Sequence, residues 1–247
     1  MPGQLFLLPN VLASPGESGA PLEVMPASVL AVASRLQYFI VENAKTARAF
    51  LKTVHQTHPL ALPLQQLRME ELNQRTGSKH LPALLEPVMQ GEDAGLLSEA
   101  GVPAVADPGA DLVRVAHAKG IRVRPLVGPS SILLALMASG LNGQSFAFHG
   151  YLPVDAQERA KKIRALESRS RQERQTQIFI ETPYRNGALL EALVSSCHAD
   201  TLLCVATNLS LDSESVKTLR AAQWKSALAH TAAGLQKQPT VFLLLAQ

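Results

Sequence analysis

The chain has 247 residues, 47% apolar and 17% charged, enough for one large domain or two ordinary ones and too apolar for a disordered segment. The net charge is a mild +3, which argues against a chain that is basic throughout. Two cysteines, Cys197 and Cys204, without CxxC spacing or a histidine cluster exclude a disulfide framework and a structural zinc module, and fit a reducing cytosol.

The first apolar run, Leu5–Leu8, has no basic segment before it and is too short for a signal peptide, so a cytoplasmic protein is expected. It reads as a strand, Gln4–Leu8, followed by a Pro/Gly/Ser-rich loop to about Pro26. A helix from Ala27 leads to an apolar strand, Tyr38–Val41. Asn43 is placed to cap a helix through about Val54, where Ala47, Phe50, Leu51 and Val54 recur at helical spacing. Pro59–Leu67 shows no clear period. Ser78 is placed to cap a helix Leu81–Gln90 that stops at Gly91. Gly95–Ser98 is a strand, and Asp107 with Pro108 reads as the N-cap and first turn of a helix to Gly120.

Arg122–Val127 is a strand, and Gly128-Pro129-Ser130 opens an apolar helix ending near Gly140. No Asp, Glu, Lys or Arg occurs from Pro125 to Val154, but Gly128-Pro129, Gly140, Asn142-Gly143 and Pro153 cut the stretch into pieces too short to span a membrane. A strand Phe146–His149 and a basic amphipathic helix Ala156–Arg169 follow. Then come a strand Ile178–Glu181, a helix capped by Thr182-Pro183 through about Ser196, and a strand Leu202–Ala206. A helix around Trp224–Gln236 and a closing strand Thr240–Leu245 complete the order, with no appendage expected after it. Strands alternating with helices mean an α/β protein, largely parallel in its first half, and a boundary near 125–145 divides it into domains 1–127 and 128–247.

Three strand-to-helix junctions mix small residues or proline with polar ones: SEAGVPAVADPG (98–109), Gly128-Pro129-Ser130-Ser131 and Glu181-Thr182-Pro183-Tyr184-Arg185. Ligands of open α/β sheets sit beyond such strand ends, where small residues permit close backbone approach and helix starts offer free N–H groups. Each junction also reads as an ordinary capped turn, but Glu99 and Glu181 are not needed for capping. Gly16-Glu17-Ser18-Gly19 is neither GxGxxG nor a P-loop and does not follow a strand directly. The seven histidines are scattered, so no metal is expected, and the absence of a GxSxG elbow argues against a hydrolase. Between Glu158 and Arg174 stand seven basic and three acidic residues, a local excess larger than the net charge of the whole chain. This is either a solvated face or a phosphate-binding one.

The segments FIVENAKTAR (39–48), 96–141 beginning LLSEAGVPAVADPG and running through VGPSS, FHGYLP (148–153) and IFIETPYRN (178–186) together resemble the tetrapyrrole methylase superfamily. Within it they are similar to the branch of ribosomal RNA small-subunit methyltransferase I. Where that branch carries a Pro-x-Gly-Asn-Leu-x-Asp loop after the first strand, this chain has Pro9-Asn10 followed by VLASPGESGAPLEVMP.

The resemblance implies two α/β domains with S-adenosylmethionine in the cleft between them, a homodimer, and methyl transfer to a ribose 2′-hydroxyl of RNA without a metal. It implies that Ser98, Gly101, Val102 and Val105 run past the cofactor and that Ser130 and Ser131 meet its methionine moiety. Glu181 would flank it, with Thr207, Asn208, Pro239 and Thr240 at the adenosine. Glu99, Glu181 and Tyr184 are candidate bases and Arg185 a substrate anchor, while Arg159, Lys161, Lys162 and Arg164 are candidate RNA contacts. Methylation of a tetrapyrrole-like small molecule, or a cofactor-binding module without activity, are the alternative readings.

Overall fold

The computed structural model describes residues 1–12, 22–73 and 76–247, which form two compact units, Met1–Ser130 and Ser131–Gln247. The Gly16–Gly19 motif, with most of the loop that departs from the branch the sequence resembles, lies outside the described residues.

Among the described residues, unit 1 holds five strands: β1 (Gln4–Leu8), β2 (Tyr38–Val41), β3 (Arg68–Glu71), β4 (Ala94–Leu97) and β5 (Arg122–Pro125). They lie in the order β3-β2-β4-β1-β5, every pair parallel. Of the three inner strands, β2 and β4 are buried along their whole length and β1 over most of it, as a sheet covered on both faces requires. Alternate residues serve opposite faces: Phe6, Leu8, Phe39 and Val41 join one core, Leu5, Ile40 and Leu96 the other. Helices α1 (Ala27–Arg35) and α2 (Ala44–Thr57) cover the first face. Helices α3 (Leu81–Leu84), α4 (Glu86–Met89) and α5 (Ala110–Ala118) cover the second.

Asn43 caps α2 as its position predicts, its side-chain oxygen accepting from the N–H groups of Lys45 (2.9 Å) and Thr46 (3.3 Å). Three expectations change. The helix expected over 81–90 is two four-residue helices, because Pro87 has no N–H for the next intrahelical bond. Ser78 lies inside a 3-10 turn, Ser78–His80, and makes no cap. Helix α5 begins at Ala110 with Gly109 as its N-cap, at φ 135° and without a side-chain cap, so Asp107 is free of the capping role.

Unit 2 contains α6 (Ser131–Ser139), β6 (Phe146–Tyr151), α7 (Ala156–Glu173), β7 (Thr176–Ile180), α8 (Asn186–Ser196), β8 (Leu202–Thr207), β9 (Ser215–Arg220), α9 (Ala221–Gly234) and β10 (Thr240–Leu245). The strand order is β6-β7-β10-β8-β9, with β6 and β7 parallel and the remaining pairs antiparallel. Phe179 and Phe242 stack across β7 and β10 at 6.5 Å between ring centroids. Trp224, 1% exposed, donates its ring N–H to the Leu203 carbonyl at 2.9 Å. Among the described residues no helix is long and apolar enough to cross a membrane.

Candidate functional site

Parallel pairing brings the C-terminal ends of β1, β2 and β4 to one edge of unit 1, and the loops leaving them are tied together there. Asn10, 2% exposed, is the centre of the knot. Its side-chain amide donates to the carbonyls of Ser98 (3.2 Å) and Glu99 (2.9 Å). Its backbone exchanges N–H···O bonds with Gly101 at 2.8 and 3.1 Å. The Glu99 N–H donates to Glu42 Oε2 at 3.1 Å, and Thr46 Oγ1 donates to Glu99 Oε1 at 3.3 Å. A buried loop must find partners for its backbone groups, and here Asn10 and Glu42 supply them.

Past Gly101 the chain adopts a costly path. Ala104 and Ala106 both stand at φ 65° and Gly109 at 135°. For alanine the left-handed region costs roughly 1–2 kcal/mol per residue. Gly109 tolerates its angle, and a Cβ there would meet Leu96 Cδ2 at 2.9 Å. This path sets Asp107 at the wall of a cavity of about 390 Å³, which Leu72, Asn73, Thr76, Ser78 and Asp111 also line. Burial, reinforced by the Glu42 carboxylate, pushes Asp107 up to about 7; a hydrogen bond from Ser98 opposes the shift and the charge of Glu99 adds to it. Burial raises Glu42 as well, opposed by its hydrogen bond from the Glu99 N–H.

The expected cofactor residues of unit 1 fall on this loop. Ser98 is buried and its hydroxyl donates to the Ala100 carbonyl at 3.2 Å. Gly101 is buried with its N–H spent on Asn10, so it offers close approach at φ 68° rather than a donated bond. Val102 is partly buried and Val105 is exposed. Ser130 and Ser131 are partly buried, and Ser131 is the first residue of α6.

In unit 2, β10 starts where β7 and β8 end, so residues far apart in sequence gather at one end of the sheet. Thr207 pairs in register with Thr240, Val241 pairs with Ile180 just before Glu181, and the Asn208 N–H donates to the Pro239 carbonyl at 3.0 Å. Asn186 ties the cluster together, its side-chain amide donating to Gln238 O (2.7 Å) and Thr240 Oγ1 (3.0 Å). The Glu181 carboxylate is 1% exposed, accepts the Thr182 N–H at 2.7 Å and forms an ion pair with Arg185. Tyr184 is 80% exposed. Two buried atoms on adjacent residues, Nε of Arg185 and Oδ1 of Asn186, have no partner. An unpaired buried donor and an unpaired buried acceptor each suit a polar atom of a ligand.

Helix α7 starts at Asp155, whose carboxylate accepts the N–H groups of Gln157 and Glu158, each at 2.9 Å. Arg159 is partly buried and donates to the carbonyls of Pro153 (3.5 Å) and Val154 (3.0 Å), so it anchors the preceding loop. Lys161, Lys162 and Arg164 are exposed.

The family described as Tetrapyrrole (Corrin/Porphyrin) Methylases matches residues 21–224. The chain belongs to the tetrapyrrole methylase family. Within this family it is similar to proteins named ribosomal RNA small subunit methyltransferase I. That of Mesorhizobium japonicum is 37% identical over 62% of this chain and 51% of its own length. That of Pseudomonas aeruginosa is 45% identical over 42% and 34%, and that of Micromonospora olivasterospora 30% over 86% and 61%. The chain thus spans about half the length, or less, of the first two of these relatives. The tetrapyrrole methylase fold recurs in the solved structures of the methyltransferase CobJ (TM-score 0.60, 17% identity, 99% of this chain and 94% of that one) and diphthine synthase (0.61, 17%, 99% and 90%).

Asn10, Glu42, Asp107 and Asn186 were not among the residues expected to form the site. The first two carry a readable signal, since each stands one or two positions past an apolar strand of the parallel sheet. Asp107 was hidden by its resemblance to an N-cap. Asn186 acts through a strand 54 residues on, which no local pattern shows.

Proposed function

We propose that this chain is an S-adenosylmethionine-dependent methyltransferase acting on a ribose 2′-hydroxyl of ribosomal RNA, as a cytoplasmic homodimer. The observation that carries the reading is the knot of loops 98–109 on Asn10, a ligand-facing edge of a parallel sheet built from the segment that most resembles the family. The names of the matched relatives supply the substrate. Bound S-adenosylmethionine would provide a methyl group on a sulfonium. The residues present suit parts of such a group: the backbone of 101–105 allows close approach, Ser130 and Ser131 carry hydroxyls for an amino-acid tail, and Asn186, bonded to Thr240, keeps an unpaired Oδ1 for the nucleoside proposed at Thr207, Asn208, Pro239 and Thr240. The carboxylates of Glu99 and Glu181 suit a cationic sulfur. Lys161, Lys162 and Arg164 offer charges for RNA phosphates.

The test is incubation of the purified chain with methyl-labelled cofactor and either small-subunit RNA or a small-molecule extract. Label is expected in the RNA, at a nucleotide whose 3′ phosphodiester resists alkaline cleavage because its 2′-oxygen is methylated. Label only in the small-molecule fraction overturns the substrate, and no label in either with cofactor bound overturns the activity.

A further inference from the structure

We infer that Asp107 is the general base of the transfer, taking the proton of the acceptor hydroxyl in the cavity it lines. This rests on the methyltransferase reading above and names the residue that the reading lacks. The other candidates are committed elsewhere. Both oxygens of Glu181 are occupied, one by the Thr182 N–H and the other by Arg185. Tyr184 stands exposed on a 3-10 turn. Glu99 accepts from Thr46 and gives its N–H to Glu42, and it is not part of the cavity wall.

Asp107 is placed differently. It lies beyond the C-terminal edge of a parallel sheet, in a cavity of about 390 Å³, a size within the usual range for small-ligand sites. The wall mixes apolar Leu72, Leu81 and Leu112 with polar Asn73, Thr76 and Ser78. Ala104 and Ala106 hold strained angles on the approach to it, so the backbone is kept in an unfavourable shape that a plain connector would relax. Among the described residues, the charged and titratable groups facing it are Glu42 from the loop after β2, Glu99 from the loop after β4, and Asp111 on the first turn of α5. Lys79 and His80 stand exposed on the turn that adjoins the cavity at Ser78. Burial and the two neighbouring glutamates bring Asp107 to about 7, where a carboxylate is both ionised and basic enough to accept a proton.

The step balances. The acceptor oxygen forms its bond to the methyl carbon, the carbon–sulfur electron pair returns to sulfur to leave a neutral thioether, and the hydroxyl proton passes to the Asp107 carboxylate. An ionised Asp107 is required, so the rate rises with pH through its titration and levels above it.

The test compares wild type, Asp107→Asn and Glu42→Gln in the full chain, reading cofactor affinity by calorimetry and single-turnover methyl transfer to RNA from pH 5.5 to 8.5. Asp107→Asn is expected to bind cofactor within about twofold of wild type and to transfer about 10²–10⁴-fold more slowly, without the rise near pH 7. Glu42→Gln removes a charge that holds the Asp107 carboxylate up, so its rise moves to lower pH. This displacement is not expected of a residue that merely supports the loop. A wild-type rate or an unchanged pH profile in Asp107→Asn overturns the assignment alone, and so does an unmoved midpoint in Glu42→Gln, which decides the matter if Asp107→Asn does not fold. A wild type that binds cofactor and methylates no hydroxyl overturns this assignment together with the proposed function.

Discussion

At the residue scale, two side chains in unit 1 make opposite contributions. Asp107 is raised above the ordinary aspartate value of 3.8, so its ionisation opposes folding. The stability it allows is complete below about pH 4 and declines as pH rises to about 7. Asp107→Asn is therefore expected to match wild type at pH 4 and to exceed it at pH 8. The gain should be about 1 kcal/mol, reduced from the full shift because the group is partly solvated. Chemical denaturation at the two pH values measures it. A variant that is more stable and less active at pH 8 would carry the signature of a functional residue. Asn10 works the other way, since Asn10→Ala leaves the Ser98 and Glu99 carbonyls without their donor. A loss of about 1–3 kcal/mol is expected in the same measurement.

At the element scale, helix α7 shows what charge counting misses. Its basic residues read as one patch, yet Arg159 is spent on two carbonyls, Arg169 pairs with Glu173 at 3.1 Å, and Arg171 donates to the Gln247 carbonyl. Lys161, Lys162 and Arg164 are exposed and engaged in none of these contacts, a smaller group than the count of seven suggests. Reversing these three to Glu should reduce the salt dependence of RNA affinity by about two to three units of slope, since each phosphate contact contributes roughly 0.7–0.9. Cofactor affinity should not change. Equal slopes for the two proteins, from titrations at several salt concentrations, would remove α7 from the RNA interface. Strands β3 and β9 teach the same lesson for backbone. RMEE and SVKTLR carry few apolar residues because both strands lie at sheet edges, where burial demands little.

At the scale of the whole molecule, cofactor binding should be visible as stability. A ligand at 100 times its dissociation constant that binds only the folded chain adds about 2.7 kcal/mol. The melting temperature should rise with added S-adenosylmethionine in the presence of a chelator, and a flat curve at millimolar cofactor would count against the site. The proposed homodimer has a natural surface in unit 2, where Phe146 and Tyr151 on edge strand β6 and Val154 beyond it are 41%, 59% and 72% exposed. Phe146→Asp should shift the chain from dimer to monomer in sedimentation, leaving the melting temperature at low protein concentration near that of wild type.

What could be read from the linear chain was whatever local pattern governs. The apolar run of β2, the Asn43 cap and the helical spacing of Ala47, Phe50, Leu51 and Val54 each depend on residues a few positions apart, and all appear where the pattern places them. The loops that bear the proposed site were legible for the same reason, because Gly and Pro beside strand ends mark close approach. Their wiring was not. Asn10 meets Glu99 across 89 positions and Asn186 meets Thr240 across 54, contacts that exist only once parallel and antiparallel strands have been laid side by side. The character of Asp107 belongs to the same class. In sequence it is an aspartate before a proline and looks like a helix cap; in the fold, burial and the charge of Glu42, 65 positions earlier, raise it to about 7. Electrostatic environment is a property of neighbours in space, and topology chooses those neighbours.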